Sequence, residues 1–146
     1  MLRQLVLTAL VALAVSGCVR RNSLVILPAT MAAAPSPLNH PDGDAFVMRE
    51  QRQLIARVKF SSVHRWGLNI TARAEPGSDG TWPMLRIELD GTPAKTVTVE
   101  NSVAIPYWLN FVTEPGCADL KLSLANAAPS ASGPTLILER VEIVPL

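Results

Sequence analysis

From about Phe46 onward, hydrophobic and polar residues alternate along the chain in a series of short runs. Leu54, Ala56, Val58 and Phe60 fall on one side of an extended chain while Arg57 and Lys59 fall on the other, the period-2 signature of a half-buried strand. The test succeeds again at Leu68–Ala74, Leu85–Leu89, Val97–Val99, Ile105–Phe111 and Leu120–Leu124. A last run, Leu136–Val144, begins with Leu136 and Leu138 in phase and resumes with Val141 and Ile143 out of phase, which predicts a β-bulge near Glu139 and Arg140. These runs make seven strands, or eight with Phe46–Arg49.

The residues between the runs are turn formers. Glu75–Gly80 reads as a loop, Asp90-Gly91 as a hairpin turn, Glu114-Pro115-Gly116 as a turn, and Asn126–Pro134 as a longer loop of Pro, Ser and Gly. No stretch after residue 17 carries a helical period. Many short strands separated by Gly and Pro predict an all-β antiparallel β-sandwich over residues 46–146, with Leu85, Ile87, Leu89, Leu109, Phe111, Leu122, Leu124, Val141 and Ile143 in its core.

The N-terminal third is different. Arg3 precedes an apolar run from Leu5 to Val15, too short to span a bilayer, which ends in Val15-Ser16-Gly17-Cys18. Those four residues resemble the lipobox cut by lipoprotein signal peptidase. The resemblance implies that residues 1–17 are removed and that Cys18 becomes the lipidated first residue of the mature chain, anchored by several acyl chains. The membrane is then a partner through Cys18, and the location is the cell envelope. Val19 stands where an Asp would resemble an inner-membrane retention signal, so the outer membrane is favoured where one exists. Residues 18–45 follow as lipidated Cys and tether: Pro28–Asp44 holds four prolines among small residues and no apolar period, which predicts an extended linker. Leu24–Leu27 reads either as part of that tether or as an extra edge strand.

Charge narrows the partners. The chain carries 13 basic and 12 acidic side chains, and removal of residues 1–17 takes away Arg3 alone, leaving balance. A neutral domain has no cluster of cations to replace the counterions of phosphates, so nucleic acid is excluded as a partner. Arg20 and Arg21, next to the anchor, suit anionic head groups. With Cys18 taken by lipid, Cys117 has no intrachain partner and is read as a semi-buried free thiol in a turn.

One motif points to a family. Thr81-Trp82-Pro83-Met84-Leu85-Arg86-Ile87-Glu88-Leu89-Asp90-Gly91 resembles the Trp-Pro-x-apolar-x-apolar-x-apolar-Asp-Gly core of jelly-roll carbohydrate-binding modules of the calcium-dependent xylan-binding type. The flanking order also resembles theirs: an alternating strand ending in alanines (Leu68–Ala74), a strand with a Tyr (Ile105–Phe111), a turn, a strand ending in Asn (Leu120–Asn126), a loop, and a last strand. The resemblance implies a jelly-roll-like sandwich and a polysaccharide partner. It does not extend to calcium. Such modules place acidic and amide ligands in the loop after the Asn-terminated strand, where this chain offers Asn126 and serines, with Glu139 near an acidic position of the final strand. Calcium wants six to eight oxygens, many from carboxylates, so no cofactor is expected.

Sugars stack their C–H faces on aromatic rings while planar polar side chains bond their hydroxyls. Trp108 lies out of phase with Ile105, Tyr107, Leu109 and Phe111 and beside Asn110, so this pair is the first glycan-binding candidate; packing of the ring under a loop is the alternative. Trp66, in a turn or at a strand start, and Asn126 form the second candidate, at the rim, while Trp82 is read as a plug at one end. His40 and His64 have no ligand spacing around them, and Glu75, Asp79 and Asp90 lie in loops and turns rather than as a pair of carboxylates across a cleft. No nucleophile elbow, phosphate loop or dinucleotide fingerprint is present. The expected protein is a non-catalytic polysaccharide-binding lipoprotein; the alternative is a scaffold that docks another envelope protein.

Overall fold

The computed structural model describes residues 15–19, 23–33, 36–61, 64–128 and 132–146. Most of the expected signal and Arg20 and Arg21 lie outside these. The described residues form twelve strands in chain order: β1 (Val15–Val19), β2 (Leu24–Ile26), β3 (Ala32–Ala33), β4 (His40–Asp42), β5 (Ala45–Met48) and β6 (Leu54–Phe60). They continue with β7 (His64–Glu75), β8 (Met84–Leu89), β9 (Lys95–Thr98), β10 (Ile105–Thr113), β11 (Gly116–Leu124) and β12 (Thr135–Pro145). A 3-10 turn covers Pro28–Thr30, and no α-helix occurs among the described residues.

The strands build two six-stranded sheets. The first runs β1-β6-β11-β8-β9, with β3 also on β6; the second runs β10-β7-β12-β5-β4, with β2 also on β12. All pairings are antiparallel except that of β1 with β6. The result is an all-β jelly-roll-like sandwich, and every alternating run of the sequence is a strand of it.

Alternation explains the layers. In β6, Leu54, Ala56, Val58 and Phe60 are buried; across β11 they face Leu120 and Leu122, which in turn meet Leu89 and Ile87 of β8. From the second sheet Leu68, Ile70, Ala72 and Ala74 close the core with Leu136, Leu138, Val141 and Ile143. Each large aliphatic side chain buried in this way contributes about 1.5–3 kcal/mol. The bulge lies where it was expected: the register slips between Leu138 and Arg140, and residues of opposite parity on its two sides all point inward. Leu109 and Phe111, expected in the core, are half buried and pack against it from β10, the end strand of its sheet among the described residues. The Asp90-Gly91 turn joins β8 to β9; Gly91 sits at φ 79°, and the Asp90 carboxylate accepts the Asp119 N–H at 2.9 Å.

The stretch read as an extended tether lies on the sandwich instead. Ile26 of β2 is buried against β12, so Leu24–Ile26 is the extra edge strand. Pro28 and Met31 are buried too, β3 adds to β6, and β4 pairs with β5. Asn39 ties the segment down: its Oδ1 accepts the N–H groups of Arg49 and Glu50, both at 2.8 Å, and its Nδ2 donates to the Glu50 carbonyl at 3.2 Å. These residues show no period because each fills a separate niche rather than one face of a regular element.

Candidate functional site: an aromatic face on the second sheet

β10 alternates half-buried residues, from Ile105 to Phe111, with the exposed Pro106, Trp108, Asn110 and Val112. It runs antiparallel beside β7, with Trp108 opposite Asn69 and Asn110 opposite Gly67; on the other side of β7, Asn69 faces Glu142 and Thr71 faces Arg140 of β12. The outer face thus carries a tryptophan, two asparagines and an Arg140–Glu142 ion pair at 3.5 Å. Trp108 is 55% exposed.

The ring stands there because of Gly67. A Cβ on Gly67 would come within 2.9 Å of Trp108 Cζ3 and 3.3 Å of Cε3, so the absent side chain is what lets the indole lie down over the strand. Leu146 flanks the same gap. Beneath the platform, Asn69 Oδ1 is buried without a hydrogen-bond partner. A buried acceptor left in this state costs about 1–3 kcal/mol, so a donor brought by a ligand that shifts the neighbouring side chains would be favoured at this point.

The main chain contributes as well. In an antiparallel pair, a residue turns both its N–H and its C=O to the same side, and neighbours along the strand alternate. The Arg65 carbonyl accepts the Leu146 N–H at 3.0 Å, so odd-numbered residues of this part of β7 turn toward β12 and even-numbered ones toward β10. Their bonded partners in β10 are Ile105, Tyr107, Leu109 and Phe111, which leaves the polar groups of Trp108, Asn110 and Val112 facing the open edge. Lys95 Nζ donates to the Asn110 carbonyl there at 2.5 Å. Ring, amides and edge groups therefore converge.

The second predicted pair does not form. Trp66 is fully buried: it is in register with Phe111 and Pro145, and its ring packs on Phe60 with centroids 5.7 Å apart. The strand begins at His64, four residues before the alternating run that starts at Leu68, and the phase of Leu68 and Ile70 carried back to Trp66 points it inward. Asn126 is half buried, and its amide is spent, accepting the Met84 N–H at 2.7 Å and donating to the Trp82 carbonyl at 2.9 Å. It clamps the end of β11 to the Trp82-Pro83-Met84 segment. Trp82 packs against the core, in keeping with a plug.

Among the described residues no cluster of three candidate metal ligands occurs. Asn126 Oδ1 accepts the Met84 N–H, and the Asp79 carboxyl in the other loop is engaged by the Thr81 N–H, which holds it below its ordinary pKa of 3.8. Sequence reasoning missed Asn69, Arg140 and Glu142. Their outward phase could have been read from Leu68, Ile70, Val141 and Ile143, but the lateral register that gathers them could not.

No protein-family model matches the chain, and no curated protein matches it significantly by sequence. Solved structures do match its fold. A carbohydrate-binding module CBM36 in complex with calcium and xylotriose superposes with a TM-score of 0.67 at 9% identity, over 82% of this chain and 98% of that one. The CBM36-1 domain of a multidomain xylanase from the hindgut metagenome of Trinervitermes trinervoides gives 0.66 at 8% identity, over 84% and 96%. The C-terminal CBM6 of LamC, a laminarinase from Zobellia galactanivorans, gives 0.60 at 12% identity, over 84% and 99%. The fold is a jelly-roll-like sandwich like that of these carbohydrate-binding modules. At such identities the likeness speaks for the fold alone.

Proposed function

We propose that this protein is a non-catalytic, lipid-anchored protein of the cell envelope whose sandwich binds a polysaccharide on the outer face of the second sheet. The observation that carries the reading is Trp108: a ring more than half exposed, laid over Gly67, with Asn69 and Asn110 beside it and the main-chain groups of Trp108, Asn110 and Val112 turned to the edge, where Lys95 bonds the Asn110 carbonyl. A sugar ring on Trp108 would offer its hydroxyls to the amides and to the edge. The fold, shared with sugar-binding modules, supports this reading.

The experiment is a glycan array with the domain from residue 23 onward, repeated with calcium chelated, followed by Trp108→Ala on whatever binds. Binding that survives chelation and is lost with the ring is the expected result. Retention of full affinity by Trp108→Ala would sink the assignment. If no glycan binds, the exposed ring and open edge of β10 serve a protein partner in the envelope instead.

Anchoring rests on the Val15–Cys18 motif. A cut before Cys18 takes Val15–Gly17 off the edge of β6 and leaves Cys18 and Val19 opposite Lys59 and Phe60. Replacing Cys18 by Ser should release the protein from membranes on fractionation; a variant still anchored refutes the lipid.

A further inference from the structure

The position of Cys18 in the fold has a bearing on how the sandwich stands on the membrane. Cys18 is in register with Lys59, and Val19 with Phe60, the last residue of β6. Gly116 and Cys117 of β11 meet the same two residues from the other side. Thr113 pairs with His64, and the Leu146 N–H bonds to Arg65. Cys18 is therefore at the end of the sandwich made by the Thr113–Gly116 turn and the start of β7. That end presents Val112, 56% exposed, and Leu146, with Arg65 exposed opposite Val112 and Lys59 exposed at the same end of the other sheet. Glu114 in the turn is the opposing charge. The far end holds the exposed carboxylates Glu75, Asp79 and Glu100.

We infer that the Thr113–Gly116 end rests on the bilayer, with Val112 and Leu146 in the head-group layer and Lys59 and Arg65 against anionic phosphates. This rests on the reading of Cys18 as a lipid anchor. Apolar side chains ringed by cations bind such an interface by combining burial with attraction to anionic lipid. The strands then stand upright, with the Trp108 backbone five positions above Thr113, about 17 Å at ~3.4 Å per residue. Its ring leans back over Gly67 beside Leu146, so the aromatic face borders the head-group layer.

The test uses the full protein extracted from membranes and reconstituted into vesicles of phosphatidylcholine and phosphatidylglycerol. Once Cys18 carries lipid, Cys117 is the remaining thiol, and it is exposed. A fluorophore on Cys117 should be quenched several-fold more strongly by head-group spin-labelled lipid than one on Ser78→Cys in a Cys117→Ser chain. Val112→Glu should weaken quenching at Cys117 with the circular dichroism spectrum unchanged. Equal quenching at the two sites, on protein whose mass shows lipid on Cys18, overturns the orientation alone. A mass without lipid overturns the anchor, and the orientation with it.

Discussion

The outer faces of the two sheets solve the same problem in opposite ways. On the first, charges answer one another: Arg57 lies opposite Asp119, Lys121 opposite Glu88, and Arg86 bonds Glu88 at 2.6 Å. Such pairs keep a surface solvated and are worth little each, about 0–1 kcal/mol. On the second, a strand position is given up to Gly67 so that an indole can lie over it, and an amide oxygen is buried without a partner. A face that needed only solubility would resemble the first. The second accepts that cost although it, too, carries ion pairs, Arg73–Glu139 and Arg140–Glu142.

The comparison breaks most sharply at two tryptophans in neighbouring strands. Trp66→Ala removes a fully buried ring packed on Phe60 and should destabilise the domain by about 3–5 kcal/mol in urea denaturation. Trp108→Ala removes a ring that faces water, and stability should change by less than about 1 kcal/mol. Its effect belongs in binding, where stacking on an aromatic ring is worth about 1–3 kcal/mol for nucleic-acid bases, taken here as the scale for sugars. Similar losses of stability in both variants would mean that Trp108 is packing.

How far these outcomes were legible differs along the chain. Strand phase was written in the sequence wherever one face is buried, down to the slip at Leu138 and Arg140. Trp66 was misjudged at a boundary, since the four residues by which β7 precedes Leu68 convert a turn position into a core one. The stretch from Pro28 to Asp44 was misjudged because its contacts are individual: a buried Pro28, a buried Met31, an Asn39 amide holding Arg49 and Glu50. Nor can alternation say which strands lie side by side. Trp108 and Asn110 were found by phase, but Asn69, Glu142 and Gly67 join them only through the pairing of β10, β7 and β12.

Two asparagines sharpen the contrast at a smaller scale. Asn126→Ala deletes both hydrogen bonds to the Trp82-Pro83-Met84 segment and should cost about 1–3 kcal/mol of stability, with glycan affinity unchanged. Asn69→Ala removes an acceptor that has no partner, so stability should hold or rise slightly while affinity falls. Chemical denaturation and titration of the same two variants read both quantities. The reverse pattern would move the site to the Asn126 loop.

The smallest effect is a matter of pH, and it concerns the inward side of β10. Burial pushes the Tyr107 phenol above its ordinary pKa of 10.0; a main-chain hydrogen bond at Glu100 opposes this, and the Glu100 charge adds to it. The folded protein therefore holds this proton more tightly than the unfolded chain does. Below pH 10 the phenol is neutral in both states and its contribution is fully present. As pH rises past 10 the unfolded chain ionises first, and that contribution is lost progressively until the pH has passed the folded pKa. Tyr107→Phe has no proton to lose, so denaturation midpoints for the two proteins should run parallel from pH 7 to about 9.5 and diverge above, with wild type falling faster. Parallel curves throughout would mean that the phenol is as solvated in the folded protein as in the unfolded chain.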